Sequence, residues 1–347
     1  MRKTDDIFAA TRRYERWLKS QVQVVAPDLV FKHKAMRKSA FGFLRATYYR
    51  WAEIWPAVCL DIAAAPRIMG IGDLHIENFG TWRDAEGRLV WGVNDFDEAH
   101  TLPYTNDLVR LAASVLVASR EGPLSIDGRA ACAAILQSYA EAIAARHARP
   151  FVLEERNGAL RELALGKRRS PKKFWKKIED VARVSLPADV KTLLLPKGAA
   201  SIRFIRRTAG TGALGVPRYA ALGELCGAFV GREAKARLPT SSDGEAFLIR
   251  NAVRAADPFL HVERHWLVRR LAPHCERIEL EDLALTDQIH EVLAAMGRET
   301  ANIHSANATA VKAIRHDLAR RKPQWLHDAA SAMTQTVMAD WKAWKKG

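Results

Sequence analysis

The sequence predicts an α+β protein of two lobes, one mostly helical and one a small antiparallel sheet. Three observations lead there. Apolar side chains recur at helical spacing over both ends of the chain, Ser201 to Arg237 alternates in strand fashion between glycine-rich turns, and the stretch before it changes in composition. At 347 residues the chain has the length of one large domain or two closely packed lobes. Its 48% hydrophobic and 27% charged content excludes a disordered or collagen-like chain.

The first third opens with two helical segments. Asp5 to Val22 is rich in charge and aromatics, and Ser39 to Trp55 (SAFGFLRATYYRWAEIW) carries apolar side chains at helical spacing. Two short strands are expected next: Arg67 to Gly72 (RIMGIG) runs into a polar turn, and Arg88 to Val93 (RLVWGV) follows the hairpin-like DAEG at 84–87. Asn106 to Ser119 reads as a buried helix, and Asp127 to Ala145 as an Ala-rich amphipathic one. Ser170 before Pro171 is a helix cap followed by proline at the first helical position, so the basic cluster KRRSPKKFWKK at 167–177 begins a helix. The Pro-bounded LPADVKTLLLPKG at 186–198 marks a lobe boundary near residue 195. Three strands follow, Ser201 to Arg206, Pro217 to Leu222 and Ala228 to Arg237. Asp257 with Pro258 repeats the cap-and-proline signature and predicts helix from there onward. The expected division is a helical lobe over 1–195, a small β-rich lobe over 196–256, and a helical segment over 257–347 that completes the first lobe.

Lys and Arg number 54 against 39 Asp and Glu, a formal charge of +15, which favours anionic partners such as nucleotides, phosphorylated molecules, nucleic acid or an acidic membrane surface. The longest apolar runs, such as Leu108 to Ala118 with Arg110 inside it, fall short of the roughly 20 residues needed to cross a bilayer. The opening MRKTDDIFAATRRYERW lacks the apolar core of a signal peptide, and the four cysteines stand far apart without CxxC spacing. Both point to a reducing cytoplasm. The cluster at 167–177 has seven Lys or Arg in eleven positions beside Phe174 and Trp175, a composition suited to nucleic-acid phosphates and stacked bases. A solvated helix face with its aromatics turned to the core is the preferred reading, and no nucleic-acid signature accompanies the cluster.

The turn Gly72-Asp73-Leu74-His75-Ile76-Glu77-Asn78 places an Asp after a strand and an Asn five residues later. Kinase-type phosphoryl transfer needs a carboxylate to take the acceptor's hydroxyl proton and an amide oxygen to hold Mg²⁺. Asn94-Asp95-Phe96-Asp97-Glu98 follows the second strand, with Asp95 as a second metal ligand. Asp97 either ligates metal or caps the turn. The alternative for the whole set is a pair of polar turns, but crowding three acid or amide groups together is costly unless a cation or substrate lies between them.

Gly210-Thr211-Gly212-Ala213-Leu214-Gly215 fits GxGxxG, and a strand follows it where a dinucleotide site requires a helix. Strand, glycine loop, strand is the arrangement in which backbone N–H groups cover nucleotide phosphates; a plain glycine hairpin is the alternative. Lys235 on the third strand can reach those phosphates, with Arg250 in FLIRNAV as competitor. Its carboxylate partner is expected to be Glu263 on a helix, with Glu245 and Glu233 behind it. A magnesium-bound triphosphate spans about 10 Å, so the glycine loop must overhang Asp73 and Lys235 must point toward Asp95.

The run IMGIGDLHIENFG, LVWGVNDFDEA and Asn106-Asp107-Leu108 resembles the catalytic segment of aminoglycoside phosphotransferase-type, protein-kinase-like enzymes. That resemblance implies Asp73 as catalytic base, Asn78 and Asp95 as metal ligands, and Asp107 as a buried carboxylate bracing the loop. With MRKSAFGFLR and GTGALG the chain more closely resembles a bacterial family of uncharacterised proteins placed among protein-kinase-like folds. That family shares the reversed order of catalytic loop before glycine loop, which implies circular permutation. Ile71 stands where the phosphotransferase motif has His, and Asp97 where DFG has its small residue.

The expected function is Mg-ATP-dependent phosphoryl transfer to an unknown small-molecule or protein acceptor bearing a hydroxyl. Gly210, Thr211, Gly212 and Gly215 with Lys235 and Glu263 would clamp ATP, and Asn78, Asp95 and Asp97 would hold Mg²⁺. One rival is a two-metal phosphoesterase using Asp73, His75 and Asp95. The other is a non-catalytic nucleotide-binding pseudokinase module.

Overall fold

A computed structural model describes residues 6–145, 148–194, 197–238 and 242–347. The boundary expected near 195 lies outside them. The fold is α+β, with three antiparallel sheets set among helices.

The chain begins with α1 (Ile7–Gln21), whose first turn is capped by the Asp6 carboxylate accepting from Ala9 N. Next come α2 (Ala26–Lys38), α3 (Ala40–Ala46), α4 (Tyr48–Val58) and α5 (Leu60–Ala63). The single helix expected over 39–55 is two helices, broken at Thr47. There the Thr47 hydroxyl donates to Phe43 O at 2.7 Å, a local bond that competes with helix continuation.

Strand β1 (Arg67–Gly70) leads into the loop at 71–78, and β2 (Phe79–Arg83), β3 (Leu89–Val93) and β4 (His100–Pro103) follow. The two strands expected here are not neighbours. β1 pairs with β4, whereas β3 lies between β2 and the short β5 (Phe151–Val152), in a separate sheet. Of the partners, β2 lies between the two expected strands and β4 and β5 lie beyond them, and none of the three was expected as a strand.

Helix α6 (Tyr104–Arg120) is buried from Tyr104 to Ala118 and forms the axis of the main core. Around it pack α7 (Gly128–Ala144), the later helices α13 (Ile289–His304) and α15 (Trp325–Lys346), and α3. Between them in sequence lie α8 (Gly158–Ala164), α9 (Pro171–Glu179), α10 (Ala188–Leu194), α11 (Ser242–Asn251), α12 (Leu280–Leu283) and α14 (Ala308–Ala319). In α9, Phe174 is buried and the four lysines are exposed.

The third sheet contains β6 (Ala200–Arg206), β7 (Arg218–Leu225), β8 (Ala228–Ala236), β9 (His261–Glu263) and β10 (Trp266–Arg270) in the antiparallel order β6-β7-β8-β10-β9. It therefore runs past the expected limit at 256. The helix expected after Asp257-Pro258 is absent because the Asp257 carboxylate accepts from Phe259 N, two residues on, and makes a turn into β9. FLIRNAV falls mostly in α11, leaving Arg250 on an exposed helix surface. One face of this sheet (Ala221, Ala234, Ala236, Val268) packs on α10 and on Leu18 and Leu29 of the N-terminal helices. The other carries Ile205, Ala220 and Leu222, which with Leu271 pack on α9.

Candidate functional site

Gly72 opens the loop at φ +83°, and a Cβ there would meet Glu98 O at 2.3 Å, so both conformation and space require glycine. The loop is braced from α6: Asp107 accepts from Ile71 N at 2.7 Å and from Gly72 N at 2.9 Å. His304 Nε2 lies 3.0 Å from the same carboxylate, and its Nδ1 lies 2.9 Å from Tyr139 Oη. Asn78 clasps the loop to the one after β3. Its Nδ2 donates to Asp73 O and Asp95 O at 3.1 and 3.0 Å, and its Oδ1 accepts from Asp95 N at 3.0 Å.

Asp73 Oδ1 accepts from Arg110 Nε at 2.7 Å, and Arg110 is itself anchored to Leu44 O at 2.9 Å. Burial raises the Asp73 carboxyl against the opposing pull of Arg110 and Arg45. Among the described residues His75 joins no cluster of potential metal ligands. Its Nδ1 accepts from Glu77 N at 3.2 Å, its ring meets Phe41 edge-on, and burial with nearby arginines holds it well below the usual value.

Lys235 Nζ lies 3.2 and 3.1 Å from the two Asp95 oxygens and pairs with Asp97 as well. Burial alone would raise the Asp95 carboxyl, but Lys235, Arg218 and Arg269 hold it below its usual value. Oxygens of Asp95, Asp97 and Glu245 all lie within 4.8 Å of one another. Glu245, on α11, accepts from Arg237 Nε at 2.6 Å through Oε2, while Oε1 is buried without a hydrogen-bond partner among the described residues. An all-oxygen donor set of this kind fits a hard divalent cation.

The glycine loop reaches this place from the opposite side. A Cβ on Gly212 would stand 3.4 Å from Asp73 Oδ2 and 3.1 Å from Arg45 O, so the loop tip lies directly over the candidate base. Lys32 Nζ, buried under the Tyr14 ring, donates to Gly212 O at 3.0 Å. Gly210, at φ +76°, and Thr211 line the cleft. Gly215 does not: at φ +99° it turns the chain against Leu29 and Leu18. Glu263 is also displaced. It sits exposed on β9 opposite Trp266, at the sheet edge, and the carboxylates about Lys235 are Asp95 and Asp97, with Glu245 beside them.

Above Lys235 three arginines converge on Glu233. Arg218 Nη1 and Arg269 Nε lie 3.0 and 2.7 Å away and Arg207 closes the set. They drive the Glu233 carboxyl far down despite its burial. Together these residues enclose a cleft of about 610 Å³. Sequence reasoning missed Lys32, the role of Arg110 and the arginine trio. An arginine inside the apolar run 108–118 was the visible signal for Arg110; for the trio it was the alternation that puts Glu233 and Lys235 on one face.

The family model described as uncharacterized protein conserved in bacteria (DUF2252) matches residues 25–181 and 240–347, more than half of the chain. The chain belongs to that family. The matched stretches contain Asp73, Asn78, Asp95, Asp97 and Glu245, while the glycine loop and Lys235 fall between them. No curated protein and no solved structure matches the chain.

Proposed function

Starting from that family membership, we propose that the chain is a circularly permuted, protein-kinase-like phosphotransferase that moves the γ-phosphoryl group of Mg-ATP to a hydroxyl-bearing acceptor. One observation carries this reading: the glycine loop between the first and second strands of the five-stranded sheet, and Lys235 on its third, meet the Asp73 and Asp95 loops in one cleft. Phosphoryl transfer by kinases calls for those parts in that relation. Asn307, just past α13, supports the permutation. Its Oδ1 accepts from Met69 N at 2.9 Å and its Nδ2 donates to Met69 O at 3.1 Å. A chain running from α13 straight into β1 would restore the order of glycine loop before catalytic loop.

Asp73 Oδ2, the oxygen left free by Arg110 Nε, would take the acceptor's proton. As it does so, the acceptor oxygen bonds to the γ-phosphorus and the bond to the β,γ-bridging oxygen breaks. Asp95 and Asp97 would hold Mg²⁺, with the second lone pair of Asn78 Oδ1, and the ion would neutralise charge between the β- and γ-phosphates. Titration calorimetry with ATP, with and without Mg²⁺, tests the reading. Magnesium-dependent binding that disappears in Lys235→Met is expected; no nucleotide binding in either condition overturns it.

A further inference from the structure

One face of the five-stranded sheet is crowded with cations. Arg218 on β7 stands directly opposite Lys235 on β8, and Arg207, whose N donates to Arg218 O at 2.9 Å, continues the row from the end of β6. Glu233, two residues before Lys235 and so on the same face, has Arg269 of β10 opposite it. Like charges set opposite one another in a sheet are destabilising, so this row needs counter-charge. Lys235 has its own carboxylates in Asp95 and Asp97. Arg207, Arg218 and Arg269 share one, because all three donate to Glu233. Three guanidinium charges against one carboxylate leave +2.

The donors of this set also outnumber what Glu233 can accept. A guanidinium carries five N–H groups and a carboxylate about four acceptor sites, so one carboxylate leaves most of the donors unused. All three arginines line the cleft, whereas Glu233 is fully buried. Arg218 binds Glu233 through Nη1, and its Nη2 lies 3.5 Å from where a Cβ on Gly210 would stand, at the start of the glycine loop. Burial holds the Arg207 and Arg218 guanidiniums below their ordinary value against the pull of Glu233, and the charge of Arg269 adds to the effect. An anion in the cleft supplies the missing counter-charge.

We propose, resting on the phosphotransferase reading, that Arg207, Arg218 and Arg269 form a subsite for the donor's non-transferred phosphates, separate from the metal-dependent one at Asp95 and Asp97. The planar forks of arginine match phosphate oxygens. The nearness of Arg218 to Gly210 assigns the subsite to the donor and not to the acceptor. Glu233 holds the three forks in place before a ligand arrives, so less order has to be imposed on binding.

Calorimetric binding of ATP, ADP, inorganic pyrophosphate and inorganic phosphate, with and without Mg²⁺, decides it. The variants are Arg207→Gln, Arg269→Gln and Arg269→Lys, at partly exposed positions that leave Arg218 on Glu233. Each Gln variant should bind ATP, ADP and pyrophosphate about tenfold more weakly or worse, as loss of a hydrogen bond to a charged group implies. Magnesium adds affinity through Asp95 and Asp97, but the arginines need no metal, so the factor lost should be the same in both conditions. Arg269→Lys, which keeps the charge without the fork, should fall between. Should the Gln variants fail to fold, the unmodified chain decides, since it is expected to bind pyrophosphate without Mg²⁺. Pyrophosphate binding that requires Mg²⁺, or ADP and pyrophosphate affinities unchanged in both Gln variants, overturns the inference and leaves the phosphotransferase reading standing. Loss confined to inorganic phosphate, with ATP and ADP unchanged, puts a phosphate of the acceptor there and overturns it too. An unmodified chain that binds neither nucleotide nor pyrophosphate sinks both readings.

Discussion

Lys235 and Asp95 stand 140 positions apart in the chain and meet at 3.1 Å, which joins the five-stranded sheet to the loop after β3. The ammonium pairs with both Asp95 and Asp97, and an oxygen of Glu245 lies within 4.8 Å of theirs, so cation and carboxylates hold one another at the place that the proposed function gives to a magnesium-bound phosphate.

Asp95→Ala should remove the magnesium-dependent part of the thermal stabilisation by ATP, because a ligand that binds only the native state raises stability by mass action. Melting temperatures with ATP, with and without Mg²⁺, give the readout. A magnesium increment equal to that of the unmodified chain would assign the ion elsewhere.

Asp73→Asn keeps shape and loses the proton acceptor. Phosphoryl transfer should fall by about 10²–10⁴-fold with ATP affinity changed only a few-fold. Equal losses in binding and turnover would instead make Asp73 a metal ligand.

Asp107→Ala leaves Ile71 N, Gly72 N and His304 without their buried partner, and breaking such a set costs about 3–5 kcal/mol. Urea denaturation should show that loss, with Asp107→Asn between the two. An unchanged midpoint would mean that the loop is held by other contacts.

Lys32→Met removes the donor to Gly212 O at the tip of the glycine loop. Hydrogen bonds to charged groups contribute about 1.5–3 kcal/mol, so amide exchange across Gly210 to Ala213 should speed up by about tenfold or more. Burial lowers the Lys32 ammonium to about 8, so the unmodified loop should loosen in the same way as pH rises past that value. Identical exchange in both proteins at pH 7 would refute the latch.

Burial raises the Glu299 carboxyl to about 7, and the group accepts from Val93 N and Asn302 Nδ2. Between the ordinary glutamate value and 7 the folded chain binds the extra proton. Stability should therefore fall by about 1 kcal/mol per pH unit across that window, and level off above it. In Glu299→Gln the slope between pH 5 and 7 should flatten; equal slopes would show that Glu299 does not titrate there.

Much of the site is written locally. The spacing of Asp73 and Asn78, the glycine that turns the chain at 72, the Ser170 cap and the alternation through β6, β7 and β8 each depend on neighbours in sequence, and each is legible there. Asp257-Pro258 shows the limit of such signals. The same pair serves a helix cap or a turn into a strand, and which one forms depends on whether β10 is present for β9 to pair with. The same holds for Gly215 and Glu263, whose surroundings come from α2 and β10. Composition, local turns and strand periodicity were thus fixed by the sequence alone, because backbone sterics and side-chain period act over a few residues. Pairing β1 with β4, seating Arg207, Arg218 and Arg269 on Glu233, and laying Gly212 over Asp73 were decided only by tertiary structure. Those contacts follow from strand register and core packing between distant segments, and no local pattern encodes which distant segment will arrive.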